Sequence, residues 1–236
     1  MTPSAEVALS TDPNTEQQSY WIVPNRRVHQ FVGREAILMK VQDCFKLDRE
    51  EKMEPRVVVL RAMGGQGKTQ VALELCNRAK KMKLFKGIFW IDATSKNTAS
   101  KSFDAISRRI FLPSQFPQQD ALVECVKEKL AEWPEPWLLV FDNYDNPDAF
   151  FFTDYKPSGG LGCVLITTRH VDVDDCATTA SALELPPFSQ DEAVALLMKC
   201  CQKEQTEDDL NSGKAIVKRL GCHPLAITQA VSAIAT

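Results

Sequence analysis

Four things are missing from this sequence, and each removes a class of protein. No apolar run approaches the roughly 18–20 residues that a membrane-spanning helix needs, and the N-terminus lacks the apolar core of a signal peptide. No block of basic residues appears, and a formal net charge of −3 leaves no electrostatic footprint for nonspecific nucleic-acid binding. No Cys-x-x-Cys pair occurs among the 8 cysteines. Cys200-Cys201 and Cys222-His223 are adjacent pairs with poor zinc spacing, and Cys176 stands alone in a polar loop. Cys44, Cys76, Cys125, Cys163 and Cys200 fall in apolar-periodic or strand-like stretches, where a free thiol acts as a small hydrophobe. The expectation is a soluble, cytoplasmic protein with neither nucleic acid nor membrane among its partners.

What is present is organised around one stretch, Leu60-Arg61-Ala62-Met63-Gly64-Gly65-Gln66-Gly67-Lys68-Thr69-Gln70. Ahead of it, Arg56-Val57-Val58-Val59-Leu60 is the β-branched run of a buried parallel strand. Behind it, Val71, Leu75 and Ala79 recur at helical spacing, so a helix opens near Lys68. Strand, glycine loop, Gly-Lys-Thr and helix in that order read as a phosphate-binding loop. Glycines let backbone N–H groups turn inward around phosphate oxygens, and the helix N-terminus adds positive potential. Gly64, Gly65, Gly67 and Lys68 are the candidate phosphate ligands, and Thr69 offers a hydroxyl to Mg²⁺. Ala62 departs from the full pattern, which has glycine there; alanine is tolerated if φ is negative and shifts the loop if φ is positive.

The 236 residues, 44% of them hydrophobic, suffice for one large domain or one and a half. Residues 1–20 read as a disordered arm, Trp21-Ile22-Val23-Pro24 as an extended segment docking on the domain, and Lys46 to Pro55 as a charged surface loop. Strands are expected at 56–60, 87–92, 137–143, 163–169 and 183–185, giving a parallel five-stranded sheet in an α/β fold. Trp137-Leu138-Leu139-Val140-Phe141-Asp142-Asn143 is a buried strand that delivers one carboxylate to the carboxyl edge, where Asp142 serves Mg²⁺. Asn143 holds the place where many hydrolysing enzymes carry a second acid, and an amide cannot act as a general base. Asp145 lies nearby without a direction that sequence can assign. Cys163 to Arg169 ends a strand on two hydroxyls and a cation, placing Arg169 to sense a γ-phosphate. Ser189-Gln190-Asp191-Glu192 is a capping box opening a helix, and Gly221 and Pro224 punctuate the helices that follow.

Taken together, Phe31-Val32-Gly33-Arg34-Glu35, Met63 to Thr69, Leu138 to Asn143, Leu165 to Arg169 and Gly221 to Leu225 occur in the order seen in NB-ARC domains. Residues 21–236 resemble a STAND-class NTPase of NOD-like receptors, most similar to fungal members. The resemblance implies a three-layer P-loop fold over 21–186 and the beginning of a helical ARC subdomain over 187–236. It implies bound ADP exchanged for ATP with Mg²⁺, protein partners or self-association in a longer chain, and signalling in innate immunity and programmed cell death. Val32 and Arg34 would lie on the adenine side, Pro224 would pack on the base, and Arg169 would match the sensor arginine. Cys222-His223 replace the Gly-Leu of the family's Gly-Leu-Pro-Leu. The winged-helix part with its Met-His-Asp motif is expected to lie outside the chain, which reads as a fragment, a truncated product or a minimal adaptor. Three functions stay open: a nucleotide-binding signalling module with slow hydrolysis, a turnover ATPase, and a scaffold that no longer binds nucleotide.

Overall fold

A computed structural model describes residues 19–26, 28, 31–46, 54–159, 161–177, 181–201 and 206–234. The arm predicted at the N-terminus, up to residue 18, and most of the charged loop, 47–53, lie outside the described residues.

Six parallel strands form one sheet, β1 (Tyr20–Ile22), β2 (Arg56–Arg61), β3 (Gly87–Asp92), β4 (Trp137–Asp142), β5 (Gly162–Thr168) and β6 (Ala182–Glu184). Their spatial order is β1-β3-β4-β5-β2-β6. The central strands are near-continuous apolar runs that turn polar only at their ends, as burial on both faces demands. Side chains alternate between faces. Val57, Val59, Phe89, Ile91, Leu139, Phe141, Val164 and Ile166 pack with α3 (Lys96–Ile110) and α4 (Leu122–Ala131). Val58, Leu60, Ile88, Trp90, Leu138, Val140, Cys163 and Leu165 pack with α1 (Glu35–Cys44) and α2 (Lys68–Lys81). These two clusters make the three layers.

The sheet has six strands where the sequence predicts five. The sixth is the segment read as a docking clip: Tyr20–Ile22 pairs in register with Gly87–Phe89. Three half-buried residues carry too little alternation to announce a strand, and β3 supplies the pairing edge. Trp21 is pinned by the Lys80 ammonium, 4.2 Å from its ring centroid.

Beyond β6, α5 (Gln190–Cys201), α6 (Glu207–Arg219) and α7 (Pro224–Ile234) pack around Ala193, Val194, Leu197, Met198, Val217 and Ile227. These three helices occupy the stretch expected to begin a helical subdomain, and they have a core of their own. The capping box forms as predicted: the Glu192 N–H donates to Ser189 Oγ (3.1 Å) and the Ser189 N–H to Glu192 Oε2 (2.9 Å). Among the described residues no helix is long and apolar enough to cross a membrane.

Candidate functional site

The loop between β2 and α2 sits at the carboxyl edge of the sheet, where open parallel sheets place their ligands. Ala62 stays out of the left-handed region, so its side chain costs the loop nothing and packs inward, 7% exposed. Its N–H donates to the Thr168 carbonyl (3.2 Å), tying the loop to the end of β5. Gly65 and Gly67 adopt φ of 74° and 92°, which turns successive N–H groups toward one concavity, and Gly67 caps α2. Lys68 is buried; its ammonium donates to the carbonyls of Ala62 (2.7 Å) and Met63 (3.2 Å). Burial lowers the Lys68 pKa, Asp145 and Asp142 oppose that, and Arg169 adds to it. Those effects locate one amine among two carboxylates and a guanidinium.

Asp142 ends β4 and is 5% exposed. Its Oδ1 accepts from the Thr167 hydroxyl (2.6 Å) and from the Thr69 hydroxyl (2.9 Å). Burial raises its pKa; the hydroxyl bonds from Thr167 and Thr69 lower it, Asp92 raises it, and Lys68 lowers it. A hydroxyl and a carboxylate are hard oxygen donors, the chemistry that suits Mg²⁺ rather than a soft metal. Asn143 follows at φ 61°, and its N–H donates to Thr167 Oγ1 (3.0 Å). Arg169 lies just past β5, paired to Asp145 through Nε (2.6 Å).

The opposite wall comes from the segment before α1 and from the helical part. Arg34 has φ 67° and is 6% exposed. Its guanidinium donates to the carbonyls of Pro186 and Gln66 and lies 4.2 Å from the Phe188 ring centroid. The Arg34 N–H donates to Glu192 Oε1 (3.3 Å), the same carboxylate that completes the capping box. A Cβ at Gly33 would stand 2.4 Å from that oxygen and push the carboxylate aside, and φ of 64° itself favours glycine there. Farther along, the left-handed pair Gly221-Cys222 turns the chain into α7. His223 Nδ1 accepts from the Ala226 N–H (3.4 Å), which leaves Nε2–H to donate to the Gly64 carbonyl (3.0 Å). A Cβ at Gly65 would meet His223 Cε1 at 2.3 Å.

Between these walls lies a cleft of about 750 Å³, within the range of small-molecule and cofactor sites. Val32, Arg34, Gly64, Gly65, Gly67, Lys68, Thr69, Arg169 and Pro224 all border it, and Asp142 stands behind Thr69. The structure thus brings every sequence-predicted site residue to one place. One end is polar and rich in N–H donors; the other is apolar, with Phe31, Val32, Phe188, Leu196 and Pro224. The first end can donate to anionic oxygens, and the second offers an apolar surface. Sequence reasoning left Asp145 unaimed and missed Phe188, both of which border the cleft, and missed the contact of His223 with the Gly64 carbonyl. Only the departure of Cys222-His223 from the family pattern could have drawn attention to His223.

A family model described as the NB-ARC domain matches residues 34–207. A nucleotide-binding leucine-rich repeat-like protein of Hyaloscypha variabilis is 26% identical over 233 residues, covering 91% of this chain and 23% of that protein. Disease resistance protein RGA2 of Solanum bulbocastanum is 30% identical over 183 residues, covering 72% of this chain and 18% of its own length. The chain therefore spans about a fifth of the curated relatives it matches. Among solved structures, a Signal Transduction ATPase with Numerous Domains from Pyrococcus horikoshii, carrying a tetratricopeptide repeat sensor, superposes with TM-score 0.54 at 16% identity. It covers 85% of this chain and 30% of that one, a likeness of fold. With a family match running from the Arg34 wall through the phosphate loop and into the helical part, this chain belongs to the NB-ARC family of P-loop nucleotide-binding domains.

Proposed function

We propose that this chain is the adenine-nucleotide module of an NLR-like signalling switch, holding ADP or ATP with Mg²⁺ in the cleft and hydrolysing slowly. The observation that carries the reading is the convergence of Lys68, Thr69, Asp142 and Arg169 at one end of a cleft whose other end is closed by Arg34 and Pro224. Gly64, Gly65 and Gly67 offer N–H groups to the phosphates, and Lys68 exchanges two backbone carbonyls for phosphate oxygens. Thr69 and Asp142 hold Mg²⁺, whose charge offsets that of the phosphates. Arg169 meets a γ-phosphate, and Val32, Arg34 and Pro224 flank the base. Slow hydrolysis follows from Asn143, an amide where a general base would stand, and from Asp145 being engaged by Arg169. We assign 21–186 to the nucleotide-binding unit and 187–236 to the helical lid. Cytoplasmic residence, self-association within a longer protein and output in immunity or cell death belong to the same reading, supported by the kinship with a disease resistance protein.

Isothermal titration with ADP–Mg²⁺ tests it. Lys68→Ala removes a charge-assisted contact and should cost on the order of 2 kcal/mol, roughly thirtyfold in affinity. Equal ADP affinity in wild type and variant would refute the site assignment. Phosphate release is expected well below the roughly 1–100 s⁻¹ of efficient phosphoryl-transfer enzymes. Rapid release abolished by Asp142→Ala would favour the turnover ATPase instead.

A further inference from the structure

Among the described residues, Asp145 is the only acidic side chain that borders the cleft. A carboxylate facing a phosphate site opposes anion binding by simple charge repulsion, so its presence there calls for a compensating role. Its contacts give one. Asp145 Oδ1 accepts from the Arg169 backbone N–H (2.7 Å), and Oδ2 accepts from Arg169 Nε (2.6 Å). That grip takes the base of the guanidinium. Among the described residues neither Nη group of Arg169 makes a hydrogen bond, so the outer edge, with its four N–H donors, stays free. The side chain runs along the phosphate loop: its Cδ lies 3.9 Å from the place a Cβ on Gly64 would take.

Asp145 is itself held firmly. The paired register of β4 and β5 stops at Phe141 and Ile166, and hydroxyls extend the joint beyond it. The Asn143 N–H donates to Thr167 Oγ1 (3.0 Å), the Tyr144 N–H to the Thr167 carbonyl (3.0 Å), and Thr168 Oγ1 to the Tyr144 carbonyl (2.7 Å). The Asp145 N–H donates to the Asn143 carbonyl (2.8 Å), closing a tight turn. Tyr144, 2% exposed, anchors that turn: its hydroxyl donates to the Phe150 carbonyl (2.8 Å) and accepts from the Phe152 N–H (3.1 Å). The carboxylate is a fixed post, while the Arg169 side chain it grips is 56% exposed and, among the described residues, has no other hydrogen-bond partner.

We propose that Asp145 is a positioning residue that aims Arg169 at the terminal phosphate and so sets the preference of the site for triphosphate over diphosphate. The inference rests on the nucleotide reading above. Nε and the backbone N–H are spent on Asp145, and both Nη groups present a two-pronged edge that matches a phosphate face. A long cationic side chain already held in one rotamer gives up less freedom when a phosphate binds it. ADP lacks the group that Arg169 reaches, so the gain belongs to ATP. Removing the carboxylate acts twice: it relieves repulsion for both nucleotides, and it loosens Arg169 for ATP alone. The ratio of the two affinities isolates the second effect.

The test is titration of the full chain with ADP–Mg²⁺ and with the non-hydrolysable β,γ-imido analogue of ATP. Asp145→Ala should lower the triphosphate-to-diphosphate affinity ratio about tenfold, with ADP affinity unchanged or raised. Asp145→Asn, which keeps an acceptor for the Arg169 N–H but loses the ion pair, should fall between. Arg169→Ala should lower the ratio at least as far, and Asp145→Ala in that background should lower it no further, the non-additivity expected of two residues acting as one. A ratio that stays constant, or rises, in both Asp145 variants overturns the proposal; a rise would mark Asp145 as a lock that withholds Arg169. A wild type that binds neither nucleotide overturns the underlying reading as well, whereas binding of both with a ratio indifferent to Asp145 overturns this inference alone.

Discussion

At the phosphate end of the cleft Lys68, Thr69, Asp142 and Thr167 are delivered by the end of a strand or the start of a helix. At the base end, three separated segments around 31–34, 186–196 and 222–228 meet only through tertiary contacts. Lys68 and Thr69 open α2, Asp142 closes β4, and Thr167 and Thr168 close β5, so backbone ladders fix all of them. The base end is held by side chains: the Arg34 guanidinium, the Glu192 carboxylate, the Lys199 ammonium that donates to the Phe31 carbonyl, the His223 ring and the packing of Val32 on the helical core. One end is therefore built to be rigid, and the other to be detachable by side-chain changes that leave the sheet untouched.

The largest effect should come from Arg34→Ala. It removes two hydrogen bonds from a buried cation and the Phe188 contact at once. A loss of about 2–3 kcal/mol is expected, seen as a fall in Tm of roughly 5–10 °C by calorimetry. A Tm within a degree of wild type would show that the helical part is held by something else. Gly65→Ala comes next, because it attacks both ends together. It forces a side chain into φ 74° and against His223, 2.3 Å from the new Cβ. ADP affinity should fall by about thirtyfold, roughly 2 kcal/mol. Adding His223→Ala should restore part of it, since the clash goes and the backbone cost stays; no recovery would place the damage wholly in the phosphate loop.

Asp142→Asn should separate stability from function at the rigid end. Burial holds the Asp142 carboxyl above its usual range, so the ionised form is a cost to the folded state. A group with a raised folded-state pKa supports the fold in acid and loses that support as pH rises through the raised value. The variant should therefore match wild type near or below the ordinary aspartate pKa of about 3.9. At neutral pH and without nucleotide it should be more stable than wild type, with a higher Tm by calorimetry, while Mg²⁺-dependent binding collapses. A variant less stable than wild type at pH 7 would show that the two hydroxyl bonds to Asp142 outweigh its desolvation. The smallest effect is expected from His223→Ala, which removes one hydrogen bond between α7 and the phosphate loop. About 1 kcal/mol, or a fivefold faster release of fluorescent ADP in stopped flow, is expected; an unchanged rate would show that the lid opens without breaking this bond.

The same division explains what sequence could reveal. The phosphate end was legible because it is local: β-branched runs, a glycine loop and a terminal acid lie in contiguous stretches, and their periodicity names the strands. Whether Ala62 would distort the loop depended on one backbone angle, which composition does not carry; it is ordinary. Asp145 could not be aimed because its direction comes from the Asn143 turn and the Tyr144 anchor, both products of β4 meeting β5. Val32, Arg34 and Pro224 came from family resemblance rather than from the residues themselves, since no local pattern joins positions about 190 apart in the chain. The first strand escaped for the same reason: its three residues become a strand only beside β3.

Among the described residues four that are not glycine take the left-handed conformation, and three of them, Arg34, Asn143 and Cys222, stand at or beside the cleft. Each such placement costs about 1 kcal/mol for a side chain with a Cβ, less for asparagine. A total of some 2–3 kcal/mol is a sizeable share of the 5–15 kcal/mol that keeps a typical domain folded. Conformational strain is thus concentrated around the cleft, and a bound group that fastened these turns would return stability to the whole fold.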